Sequence, residues 1–136
     1  MPERINHLAV WVAAIVYFLW GWLWFTVFGK PWTAMVANPA PPSAGLYATS
    51  FILGLILAYG TAMALTRRPE DQTVQQGISF AIFMGIILFA TQSLNGYLYE
   101  GRPIALWLID AGYVIIGFAI IGAIVGGWKK HATVAA

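Results

Sequence analysis

Four stretches of this chain, His7–Phe28, Ala44–Leu65, Gly77–Tyr97 and Ile104–Trp128, are long apolar runs with almost no charge inside them. About 20 residues at 1.5 Å per residue are enough to cross a hydrocarbon core of roughly 30 Å as a helix. Backbone groups in lipid must pair within their own segment, so such runs become helices. The connections are short and broken by Gly29, Pro31, Pro39, Pro41 and Pro42 in the first loop, Pro69 in the second, and Gly101 with Pro103 in the third. The expected fold is all-α, a four-helix transmembrane bundle in a single integral membrane domain over residues 1–136. Charge agrees with this: only 9% of the residues are charged, too few to cover a water-facing surface, where roughly 25% is usual. The first run is too long for the apolar part of a signal peptide, and Phe-Gly-Lys-Pro-Trp follows it without a small-residue cleavage pattern. It is read as a retained helix.

Lys and Arg near span ends are held on the cytoplasmic side. Arg4, Arg67, Arg68, Lys129 and Lys130 fall on one face of a four-span topology, and Lys30 and Arg102 on the other. Both termini are therefore expected inside, with the first loop and the third turn outside. Small residues recur at helical spacing in Gly54-xxx-Ala58, Gly77-xxx-Ala81-xxx-Gly85 and Gly122-xxx-Gly126. In lipid these permit close backbone approach, so Gly54, Ala58, Gly122 and Gly126 are candidate packing positions, within the bundle or against a partner.

Chemistry is sparse. Asp110 is the only carboxylate well inside an apolar run, and intramembrane ionisable groups are costly enough to be functional candidates. A helical hairpin turning at Gly101–Ile104 sets Asn95 opposite Asp110 and Gln92 opposite Tyr113, which predicts one polar cluster of Gln92, Asn95, Asp110 and Tyr113 in the outer half. Tyr17, Trp20 and Trp24 share a helix face, and with Trp32 they are candidate ligand or partner contacts, packing being the plainer use. His7 and His131 lie at span ends, and the chain has no cysteine. Thiolate nucleophiles and disulfides are thereby excluded, and no metal or cofactor site is expected. Phosphate-binding loops, Ser-His-Asp sets and paired intramembrane carboxylates are absent from the sequence. A net charge of +2 with no basic stripe speaks against nucleic acid.

These readings point to a non-enzymatic protein that acts by association in the bilayer, as a homo-oligomer or an accessory subunit of a larger membrane complex. The rival is a small-solute or ion transporter, with an outer-half site around Asp110 completed by Thr26, Tyr47 and Ser50.

The run Leu23-Trp24-Phe25-Thr26-Val27-Phe28-Gly29-Lys30-Pro31-Trp32, after Asn6-His7-Leu8-Ala9-Val10, resembles the signature of small bacterial membrane proteins grouped as domain of unknown function 1761 (DUF1761). Asn95-Gly96-Tyr97-Leu98-Tyr99-Glu100-Gly101-Arg102-Pro103 and Leu108-Ile109-Asp110-Ala111-Gly112-Tyr113 resemble the last hairpin of that family. Phe25-Thr26 stands where Tyr-Ser is usual. The resemblance implies a multi-pass protein of the inner (cytoplasmic) membrane and carries no assigned activity.

Overall fold

A computed structural model describes residues 5–130; Arg4 and His131, used in the charge and histidine readings above, lie outside the described residues. The chain is all-helical among those residues: α1 is His7–Val27, α2 Gly29–Met35, α3 Ala44–Leu65, α4 Val74–Glu100 and α5 Ile104–Gly127. All but α2 are long and apolar enough to span a membrane. The second span has the predicted bounds and the fourth differs by one residue. The third is longer than expected at both ends.

Polar side chains start the spans where the sequence supplies them. Asn6, Ser43 and Thr73 accept from the backbone N–H of Ala9, Leu46 and Gln76, pairing donors that the first turn leaves without partners. Gly101 ends α4 at φ 70°, a left-handed conformation that glycine adopts without steric cost. The Arg102 N–H then bonds the Tyr97 carbonyl at 2.9 Å. The short α2 is an addition to the expected loop. Pro31 sits in its first turn, where no intrahelical N–H is needed.

Helix α5 is the hub, packed against α1, α3 and α4. The α4–α5 contact is the closest: a Cβ built on Gly77 would land on the Gly122 carbonyl, and one built on Gly126 would land on the Thr73 carbonyl. Gly54 lies against the Tyr17 ring, and Ala58 is wholly buried in the core with Val10, Ala13, Ala14 and Ile121. Gly54, Ala58, Gly122 and Gly126 thus close the bundle from within. This core occupies the half of the bundle near the two termini, where Asn6 Nδ2 donates to the Trp128 carbonyl at 3.4 Å and Gln72 Nε2 to that of Val125 at 3.2 Å. His7 and Tyr59 share a 2.8 Å hydrogen bond at the same end.

Helix α4 is not uniform. Its middle, Gly85–Ala90, is a π-helical turn between two α-helical stretches. Gly77, Ala81 and Gly85 step by four residues along the buried face, and the next buried residue, Ala90, is five further on. One extra residue is thereby absorbed in mid-span, and the last third of α4 is turned by about 100° relative to an uninterrupted α-helix.

Candidate functional site

The end of the bundle opposite the termini is organised by tryptophan. An indole N–H in an apolar layer has to find an acceptor. Trp20 Nε1 donates to the Tyr113 carbonyl at 3.1 Å and Trp24 Nε1 to the Ile109 carbonyl at 3.0 Å. These acceptors are one turn apart on α5, as the donors are on α1, so the pair sets the register of the two helices. Gly112 and Gly117 make room for the rings: a Cβ at Gly112 would lie 3.0 Å from Trp24 Cζ2, and one at Gly117 would lie 2.9 Å from Trp20 Cδ1. Both indoles are therefore committed to packing within the chain, which is the plainer of their two expected uses. Trp22 faces outward from the bundle.

That register turns Asp110 toward α2 and α4. Trp32, carried over the end of α1 by α2, donates from Nε1 to Asp110 Oδ1 at 3.0 Å. The Tyr97 hydroxyl donates to Oδ2. One turn nearer the α4–α5 loop, Trp107 Nε1 donates to Ser93 Oγ at 2.9 Å. Asp110 forms the wall of an open pocket of about 480 Å³, with Trp32, Met35, Tyr97, Glu100, Arg102 and Leu106 among its other lining residues. Arg102 Nε and Glu100 Oε1 are 2.7 Å apart, and the guanidinium carbon lies 4.8 Å from the centre of the Tyr97 ring.

The expected cluster of four is divided. Asp110 is bonded to Tyr97 and Trp32, not to Asn95. Tyr113 stacks on Tyr17 with ring centroids 5.5 Å apart, away from Gln92. Gln92 and Asn95 are exposed on the outside of the bundle. The π turn is the physical reason: with a continuous α-helical phase the face of Gly77, Ala81 and Gly85 leads on to Gln92 and Asn95, whereas the extra residue brings Ser93 and Tyr97 inward instead. The five-residue step between small residues at Gly85 and Ala90 was the available sequence signal for Tyr97 and Ser93.

Tyr17 and Tyr113 also line a second cleft of about 630 Å³, with Phe25, Thr26, Tyr47 and Ser50. Its lining comes from α1, the start of α3 and Tyr113 of α5, and the residues from Ala44 to Ser50 are all exposed. Thr26 is not poised for chemistry, because its hydroxyl donates to the Trp22 carbonyl of its own helix at 2.6 Å. Among the described residues no group of three or more His, Cys, Asp or Glu side chains converges to hold a metal.

Four apolar helices around a hub, with a small polar pocket at one end, define a multi-pass helical membrane protein. The chain belongs to the family described as protein of unknown function (DUF1761), whose family model matches residues 8–126. No curated protein and no solved structure matches it.

Proposed function

We propose that the protein is a non-enzymatic component of the inner (cytoplasmic) membrane, with both termini on the cytoplasmic side, that acts by association with a second copy of itself. The observation that carries this is the outward pair Gln92 and Asn95 on α4. The helix Val74–Glu100 has 27 residues, about 40 Å against a hydrocarbon core of roughly 30 Å. With the excess shared between its ends, Gln92 lies roughly 7 Å inside the hydrocarbon and Asn95 nearer its edge. A side-chain amide left unpaired there is costly. A primary amide both donates and accepts, so the same face of a second copy satisfies it across a two-fold axis. Each such bond between membrane helices is worth about 0.6–2 kcal/mol.

The rival transport reading needs a wet path through both halves of the bilayer. Ala13, Ala14, Ala58 and Ile121 are wholly buried in the half of the bundle near the two termini, and a dry core there supports association over conduction by a single copy. The test is oxidative cross-linking in native membranes, for which the cysteine-free chain is well suited. Gln92→Cys should give a disulfide-linked dimer, Ile56→Cys on a different exposed face should not, and Gln92→Leu with Asn95→Leu should shift the detergent-solubilised protein to monomer. A dimer that ignores the double substitution overturns the assignment of this face. Cross-linking of Gln92→Cys to a different polypeptide would make the protein an accessory subunit instead.

A further inference from the structure

The pocket at the α2 end carries more negative charge than it neutralises. Glu100 and Arg102 satisfy each other at 2.7 Å. Asp110 has only neutral donors, the Trp32 indole and the Tyr97 hydroxyl, and among the described residues no Lys or Arg forms an ion pair with it. Each carboxylate oxygen keeps acceptor capacity beyond its one bond. Trp32 and Tyr97 stand beside it with Met35 and Leu106, and aromatic faces attract cations through their quadrupole. Arg102 already uses one of those rings in this way. The pocket lies where α2 meets the α4–α5 loop, the level at which lipid headgroups begin.

We propose that this pocket binds an organic ammonium ion, with the charged nitrogen on Asp110 and the alkyl groups against Trp32 and Tyr97. A metal ion fits poorly. Ca²⁺ takes six to eight oxygens, whereas here a single free carboxylate is set among apolar and aromatic walls. The site lies within one chain and does not depend on self-association. The ammonium group can come from a free amine or from the headgroup of phosphatidylethanolamine, since both present the same charge to the carboxylate.

The test is calorimetric titration of the detergent-solubilised full chain with ethanolamine hydrochloride, whose primary ammonium can donate to the carboxylate, against sodium chloride at equal ionic strength. The wild type should bind saturably, and Asp110→Asn should weaken binding by at least about tenfold, the loss expected for a charge-assisted contact. Arg102→Gln removes the internal cation from the Tyr97 ring and frees Glu100, and should tighten binding by about fivefold. Arg102 is exposed, so this second variant decides the matter even where Asp110→Asn fails to fold. Absence of saturable binding by the wild type, undiminished binding by folded Asp110→Asn, or weaker binding by Arg102→Gln would each overturn the proposal. Native mass spectrometry from mixed phosphatidylethanolamine and phosphatidylglycerol nanodiscs identifies the source. Enrichment of phosphatidylethanolamine that Arg102→Gln strengthens assigns the headgroup, and ethanolamine binding without lipid enrichment assigns a free amine. Enrichment of phosphatidylglycerol that Arg102→Gln abolishes would reverse the sign of the site and refute it.

Discussion

Gly77→Ala adds one methyl group at the point where α4 and α5 come closest. That methyl would lie on the Gly122 carbonyl and 3.3 Å from the Gly122 Cα. These are backbone atoms, so no side-chain rotation relieves the overlap and the helices have to separate by on the order of 1 Å. Overpacking of this kind costs about 1–3 kcal/mol. A gap of that size also forfeits a quarter to a half of each dispersion contact along the seam, each contact being worth about 0.1–0.2 kcal/mol. Against this, alanine is favoured over glycine inside a helix by about 0.5–1 kcal/mol. The net expectation is a loss of about 2 kcal/mol. Gly96 lies on the same helix with nothing within 4 Å of a Cβ built on it, so Gly96→Ala keeps only the propensity gain and should stabilise by about 0.5–1 kcal/mol. The two variants make the same chemical change with opposite signs. Denaturant titration in mild detergent, followed by near-ultraviolet circular dichroism, measures the difference of about 3 kcal/mol that follows from these two estimates. Equal stability of Gly77→Ala and Gly96→Ala would show that the backbones do not touch at Gly77 and Gly122.

Asp110→Asn keeps one acceptor oxygen for two donors and should cost about 1–2 kcal/mol, whereas Asp110→Leu strands both the Trp32 N–H and the Tyr97 O–H and should cost about 2–4 kcal/mol; indistinguishable melting temperatures would contradict the bonding scheme. Deleting Leu88 from the π turn should restore a continuous α-helix while leaving Tyr97 and Ser93 inward, and inserting one alanine after Leu88 should rotate them away by a further 100° or so. The cost of Trp107→Phe, about 1 kcal/mol while the Trp107–Ser93 hydrogen bond is made, reads this out, and it should survive the deletion and disappear on insertion. Replacing Trp24 by Phe keeps a ring beside Gly112 but loses the bond to the Ile109 carbonyl, for an expected cost of about 1 kcal/mol, and a neutral result would remove that bond from the register argument. Reporter fusions after residue 136 and within residues 39–43 should report opposite sides of the membrane, the former cytoplasmic; the reverse pattern would invert the proposed orientation.

The spans were legible in the sequence because crossing hydrocarbon depends on length and polarity along one segment, and both are local properties. The starts at Asn6 and Ser43 follow from side chains at those positions, whereas the third span runs past its expected Gly77–Tyr97 bounds, from the Thr73 cap to the left-handed Gly101. The glycine seam was legible too, since Gly122 and Gly126 offer a backbone approach whichever partner uses it. Azimuth around each helix was another matter. The five-residue step from Gly85 to Ala90 permits a π turn in α4 but does not require one; taking it brings Ala90, Ser93 and Tyr97 onto α5 while Gly77, Ala81 and Gly85 stay there. Only packing against a second helix makes the wider turn worthwhile, and it sent Gln92 and Asn95 outward and placed Tyr97 on Asp110. Trp20, Trp24 and Trp32 likewise have indole donors visible in the sequence, but their acceptors lie far along the chain on α5. A hydrogen bond between distant segments belongs to the tertiary structure, because only assembly of the helices decides which carbonyl or carboxylate is within reach.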